Sequence, residues 1–225
     1  MNTFTVTWAL VQRDFMIETR SKEIFIPLGL FCLVLLLLFV FSLSPLPDQS
    51  RQLFPALYLT LLALSGILAL EKTIERERRD DGLYGIVVSP VGPSSLYLGK
   101  TLSSLVFLFM VGVVSLPIFI ALLGLSLTLP QLFWVLWVEV LFLFGFSALG
   151  TLMTLLSWNV RARHVLLAVL LYPLMIPPLL ASSSLIRQGL DGRFEMGSGW
   201  GSLLVGFDLL YFGMGLLLIE HVLEE

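Results

Sequence analysis

Residues 71–100 read EKTIERERRDDGLYGIVVSPVGPSSLYLGK, and the reading of this stretch decides the fold. Ten of its thirty residues are charged, counting Glu71, Lys72, Glu75, Arg76, Glu77, Arg78, Arg79, Asp80, Asp81 and Lys100. It divides a chain that is otherwise a series of long uncharged runs. The charged part reads as a helical continuation from Glu71 to Asp81, followed by Gly82 and a short apolar wedge of Leu83, Ile86 and Val87, closed by Ser89 and Pro90. Spacing of i, i+3, i+4 puts those three aliphatic residues on one helix face. A membrane bundle has no aqueous core in which to bury such a face, so the segment reads as a short helix offered to a partner protein. The alternative reading is a solvated loop between two spans.

Outward from this stretch the chain is membrane. It has 225 residues, 57% hydrophobic and 13% charged, where soluble domains carry about 25% charged residues. Mean hydropathy is +0.96. An all-α integral membrane protein is expected, forming a single domain over 1–225 with spans near 24–44, 52–70, 101–125, 132–156, 165–186 and 201–219. Each of these runs is close to the 20 or so helical residues that cross a hydrocarbon layer. Phe4, Trp8, Val11 and Phe15 recur at helical spacing ahead of the first span, which predicts an amphipathic helix along the membrane surface. Residues 1–23 lack the continuous apolar core of a cleavable signal, so insertion is expected to rely on the spans.

The basic residues give the orientation. Arg13, Arg20, Lys22, Lys72, Arg76, Arg78, Arg79, Lys100, Arg161 and Arg163 fall on one side of a six-span path, and Arg51, Arg187 and Arg193 on the other. Ten against three places both termini and the 71–100 segment in the cytoplasm.

Two acids lie inside spans, Glu139 and Asp208. Intramembrane charge is costly enough to make each a candidate pathway residue in the outer half of the bundle, the two lining one cavity; the competing reading is that each is protonated or hydrogen-bonded and structural. Pro173, Pro177 and Pro178 predict a kinked or broken fifth span, because each removes a backbone donor and crowds the preceding turn.

Several chemistries have no motif. GxxxxGK[ST], HExxH, GxSxG and CxxCH are all absent, so no nucleotide, zinc-protease, hydrolase or covalent haem site is indicated, and the chain does not read as an enzyme. The lone Cys32 excludes an internal disulfide, and the placement of charge gives no sign of nucleic-acid binding. His164 and His221 fall at span edges without a second metal ligand at useful spacing.

Residues 64–100, LSGILALEKTIERERRDDGLYGIVVSPVGPSSLYLGK, resemble the signature of the cytochrome c biogenesis haem exporter B (CcmB-type) permeases. Ala69, Leu70, Glu71, Asp81, Gly82, Leu83, Ser89, Pro90 and Lys100 carry the match, and the 171–182 run LYPLMIPPLLAS is similar to that family's proline-rich fifth span. Tyr84 and Gly85 depart from it, where many relatives have an acid. The resemblance implies a six-helix fold of the ABC-2 permease type in a bacterial inner membrane. It also implies docking of a separate cytoplasmic ATPase that binds ATP, a haem-handling membrane subunit, a small accessory subunit and a second copy of the chain. Haem enters as a transported or partner-held ligand, in the release of a haem-loaded chaperone. Trp134, Trp137 and Trp200 do not reproduce the haem-handling tryptophan motif expected of the partner. An exporter of lipid or drug with the same fold, a scaffold that relays ATPase motion without transport, and a proton-coupled carrier are the competing functions. The carrier ranks last, for want of inverted repeats.

Overall fold

The computed structural model describes residues 3–43, 47–79, 92–156, 163–197 and 199–222. Among them are seven helices and no strand: α1 (Thr3–Ser21), α2 (Phe25–Leu43), α3 (Pro47–Arg79), α4 (Pro93–Leu122), α5 (Leu129–Leu156), α6 (Arg163–Leu190) and α7 (Gly199–Val222). Six of them, α2 to α7, are long and apolar enough to cross a membrane. The chain is therefore an all-α integral membrane protein, with α1 too polar to span.

α5 is the axis of the bundle and packs against α3, α4, α6 and α7, whereas α2 lies outside and touches α3 and α4. Phe142 and Phe146 of α5 are wholly buried at the centre. Gly92 caps α4 with Pro93 in the first helical position, where a missing N–H costs nothing. Gly124, at φ 64°, makes the left-handed turn between α4 and α5. α3 is the longest element at 33 residues, and it continues past its apolar stretch through the charged residues to Arg79.

Helix α6 contains Pro173, Pro177 and Pro178 and runs from Arg163 to Leu190 without a break, which leaves a kink as the form their effect can take. Pro178 cannot donate to the carbonyl of Leu174, four residues back, and the Tyr211 hydroxyl of α7 donates to that carbonyl instead at 2.6 Å. An outside donor thus satisfies the acceptor that proline leaves open in hydrocarbon.

Of the residues that gave α1 its amphipathic reading, Val11 is buried, whereas Trp8 is 51% exposed and Phe15 37%. The buried side carries Val6, Leu10 and Val11 together with Asp14 and Glu18. Both acids have partners that make this possible. Lys100 of α4 donates to Asp14 Oδ2 at 2.8 Å, with the two side chains 7% and 2% exposed, and Arg13 reaches Asp14 Oδ1 at 3.1 Å. Glu18 Oε1 accepts the backbone N–H groups of Ile24 and Phe25, each at 2.8 Å, and so closes the open donors at the start of α2. Lys22, at φ 53°, turns the chain between the two helices. Lys100, counted above with the polar segment, belongs to the second turn of the span helix.

Burial raises the Asp14 carboxyl pKa, but Lys100 and then Arg13 more than reverse this and hold it below the usual 3.8. A carboxylate depressed in the folded state contributes stability above its unfolded pKa and loses it as pH falls through the folded value. Protection of the α1 amides, measured relative to the intrinsic exchange rate at each pH, is accordingly expected to stay flat between about pH 7 and pH 5 and to fall below about pH 4, a fall that Asp14→Asn abolishes. At neutral pH Asp14→Asn should destabilise the protein by about 3 kcal/mol in detergent unfolding, because it takes the carboxylate away from a buried ammonium; replacing Asp14 and Lys100 together by leucine should recover most of that.

Candidate functional site

The two intramembrane acids are built into different helix contacts. Glu139 is eleven residues into α5, about 15 Å from its start, and Asp208 is a similar distance into α7. Both therefore lie before the midpoints of their helices, which have 28 and 24 residues, on the side where α5 and α7 begin.

Glu139 is fully buried and faces α3 and α4. Tyr58 of α3 donates its hydroxyl to Glu139 Oε2 at 2.8 Å and lies 3.2 Å from the Gly112 carbonyl of α4. Tyr58 is held in turn by stacking on Phe54 at 5.6 Å and by the edge of Phe119 at 6.1 Å. The carboxyl group fills the place a side chain at position 112 would take, so only glycine fits there. Glu139 Oε1 has no hydrogen-bond partner among the described residues. Three helices meet on this carboxylate, and the tyrosine is the group that orients it.

Asp208 faces α5 from the other side, its carboxyl against Gly145 in the same glycine-for-carboxyl arrangement. Neither of its oxygens has a partner among the described residues. Neither Glu139 nor Asp208 lines any of the three cavities found among the described residues. No group of three His, Cys, Asp or Glu side chains suited to a metal occurs among the described residues.

Of the sequence-predicted docking residues, Glu71 is half-buried on α3, just before the exposed Lys72–Glu75 pair at 2.9 Å. Asp81, Gly82, Leu83, Ile86, Val87, Ser89 and Pro90 lie outside the described residues. Pro173, Pro177 and Pro178 stand in the continuous α6. Sequence reasoning missed Tyr58 and the Asp14–Lys100 pair. A tyrosine inside an otherwise aliphatic run is the local signal for the first, and a lysine eight residues into a span helix the signal for the second.

An all-helical bundle with six helices long and apolar enough to span defines a multi-pass membrane protein. A model of the CcmB protein family matches residues 5–222, and the chain belongs to that family. It is similar to Heme exporter protein B of Rhodobacter capsulatus, 27% identical over 188 residues that make up 82% of this chain and 84% of that protein. It is also similar to Heme exporter protein B of Pseudomonas aeruginosa, 29% identical over 174 residues, 77% and 76% of the two chains.

The contact geometry orders three substitutions. Tyr58→Phe removes the donor to a buried carboxyl group and should cost about 1–3 kcal/mol, whereas Glu139→Gln keeps an acceptor for the tyrosine and should cost under about 1 kcal/mol. Gly112→Ala pushes a methyl group into that carboxyl and should be as harmful as Tyr58→Phe. Thermal unfolding of the purified proteins in one detergent checks the order.

Proposed function

We propose that this chain is the permease subunit of an ABC-type transporter that acts in haem delivery for cytochrome c maturation. In this reading it couples ATP hydrolysis on a separate cytoplasmic subunit to haem export or to release of a haem-loaded chaperone. The observation that carries it is the family match over nearly the whole chain, to relatives whose name states haem export. The sequence supports the division of labour, since it contains no phosphate-binding loop. In the assembly the chain sits as one domain in a bacterial inner membrane with both termini in the cytoplasm, following the ten-to-three distribution of basic residues.

The ATPase docks on the 71–100 segment. Leu83, Ile86 and Val87 enter its groove, Ser89 and Pro90 end the docking helix, and Glu71 and Asp81 set its register, since rim charges tune encounter more than affinity. The haem-handling membrane subunit and the small accessory subunit pack against the spans, and a second copy of the chain completes the pathway.

A second reading has a specific observation in its favour. Glu139 is wholly buried against Tyr58 and Gly112, and continuous packing there supports a scaffold that relays ATPase motion to the haem-handling subunit without itself passing a substrate. ATP hydrolysis stimulated by lipids or drugs and indifferent to a haem-loaded chaperone would instead favour an exporter of those compounds.

Two experiments test the proposal. Affinity purification in mild detergent is expected to bring down the ATPase, and the double substitution Leu83→Asp with Ile86→Asp to lose it while membrane insertion is unchanged; recovery at the wild-type yield refutes the docking assignment. In a Cys32→Ser background, a membrane-impermeant maleimide added to intact cells should label Asp191→Cys and leave Glu75→Cys unlabelled. The reverse pattern inverts the topology.

A further inference from the structure

A cavity of about 460 Å³ lies under α1, between α4 and α7. Thr7 of α1 and Thr101 of α4 stand at its polar side, Leu98, Leu102 and Leu105 form a wall, and Phe144 and Phe212, with ring centres 5.3 Å apart, form its floor. Thr7 is 9% exposed and Thr101 3%, and neither hydroxyl has a hydrogen-bond partner among the described residues. Thr7 is the sharper case, because Thr101 lies beside the Tyr97 hydroxyl, itself engaged by the Ala148 carbonyl at 3.1 Å. A buried hydroxyl without a partner is costly, so the cavity favours an occupant with an acceptor beside Thr7, with Thr101 close by.

The depth of the cavity selects the occupant. α4 has 30 residues and so is about 45 Å long, the full thickness of a bilayer with its headgroups. Thr101 is eight residues after Pro93, about 12 Å along the helix, which places it near the level where headgroup gives way to hydrocarbon. α1 is clamped at this level by the Asp14–Lys100 pair and by Leu10 lying on Gly99. The boundary between headgroup and acyl chain is where the ester carbonyls of a glycerolipid are found. Below the threonines every lining residue is apolar, and Leu102, 36% exposed, opens the cavity sideways to the lipid.

We propose that this cavity is a binding site for one glycerophospholipid of the leaflet in which α1 lies. Its ester carbonyl accepts from Thr7 and Thr101, and its acyl chain runs over Leu102 and Leu105 onto Phe144 and Phe212. The lipid fills the space between the surface helix and α7 that protein side chains leave open. The site is independent of what the protein transports.

A photo-cross-linking amino acid at Leu105, in the full chain in native membranes, tests this against the same probe at Leu217, which is 73% exposed and reports ordinary surrounding lipid. Mass spectrometry is expected to find intact phospholipid on the Leu105 probe. Thr7→Val with Thr101→Val should lower that yield at least threefold, and Leu102→Trp, which fills the cavity, should do the same, while the Leu217 yield stays constant and shows that the fold has survived. An unchanged Leu105 yield in the double valine protein overturns the proposal and assigns the hydroxyls to backbone carbonyls of their own helices. So does an adduct at Leu105 that is free fatty acid or another protein.

Discussion

The absence of water from the hydrocarbon is the constraint on which the rest of this structure depends. Polar groups within the bundle cannot turn to water, and several take their partners from other helices. Tyr211 supplies the donor that Pro178 lacks, Tyr58 supplies the donor for Glu139, and Lys100 neutralises Asp14. At the other end of the bundle, Arg51 and Gln131 both donate to the carbonyl of Leu190, and Trp134 donates to that of Leu185, so the last turn of α6 is tied to α3 and α5. Helix packing among lipids gains little from the hydrophobic effect, and such contacts fix which faces meet.

This constraint explains what was legible in the sequence. The six spans were, because charge-free runs of the right length leave few alternatives in a membrane. The extension of α3 into the charged stretch was read as helix and is helix as far as Arg79. The burial of Asp14 and Glu18 on α1 was not legible, since helical spacing picks out only the apolar Phe4, Trp8, Val11 and Phe15, and the protein buries the two acids by giving them partners. The Asp14 partner is 86 residues away in sequence, and no local pattern announces it. The continuity of α6 is the same lesson: proline rules describe an isolated helix, and the donor to the Leu174 carbonyl, Tyr211, lies 37 residues beyond it. For the intramembrane acids the residues were identified but not their contacts, which depend on which face of α5 each helix meets.

The surface helix is more than a float on the bilayer. Its acids join it to the start of α2 and to the second turn of α4, and α4 is the span that follows the polar segment directly. Phe107 of α4 stacks with Phe15 of α1 at 6.3 Å and meets the edge of Phe25 of α2 at 5.5 Å, so the junction of the three helices is packed as well as paired. Displacement of α4 along its axis therefore carries α1 and the start of α2 with it.

The length of α3 has a mechanical consequence. Its 33 residues are helical without interruption, so it behaves as a stiff rod with its charged end beyond the apolar stretch and its middle in the core. Glu75 and Tyr58 are seventeen residues apart, about 25 Å along the axis. The exposed charged end and the tyrosine that holds the central carboxyl group therefore belong to one continuous element, with no loop between them to absorb a displacement.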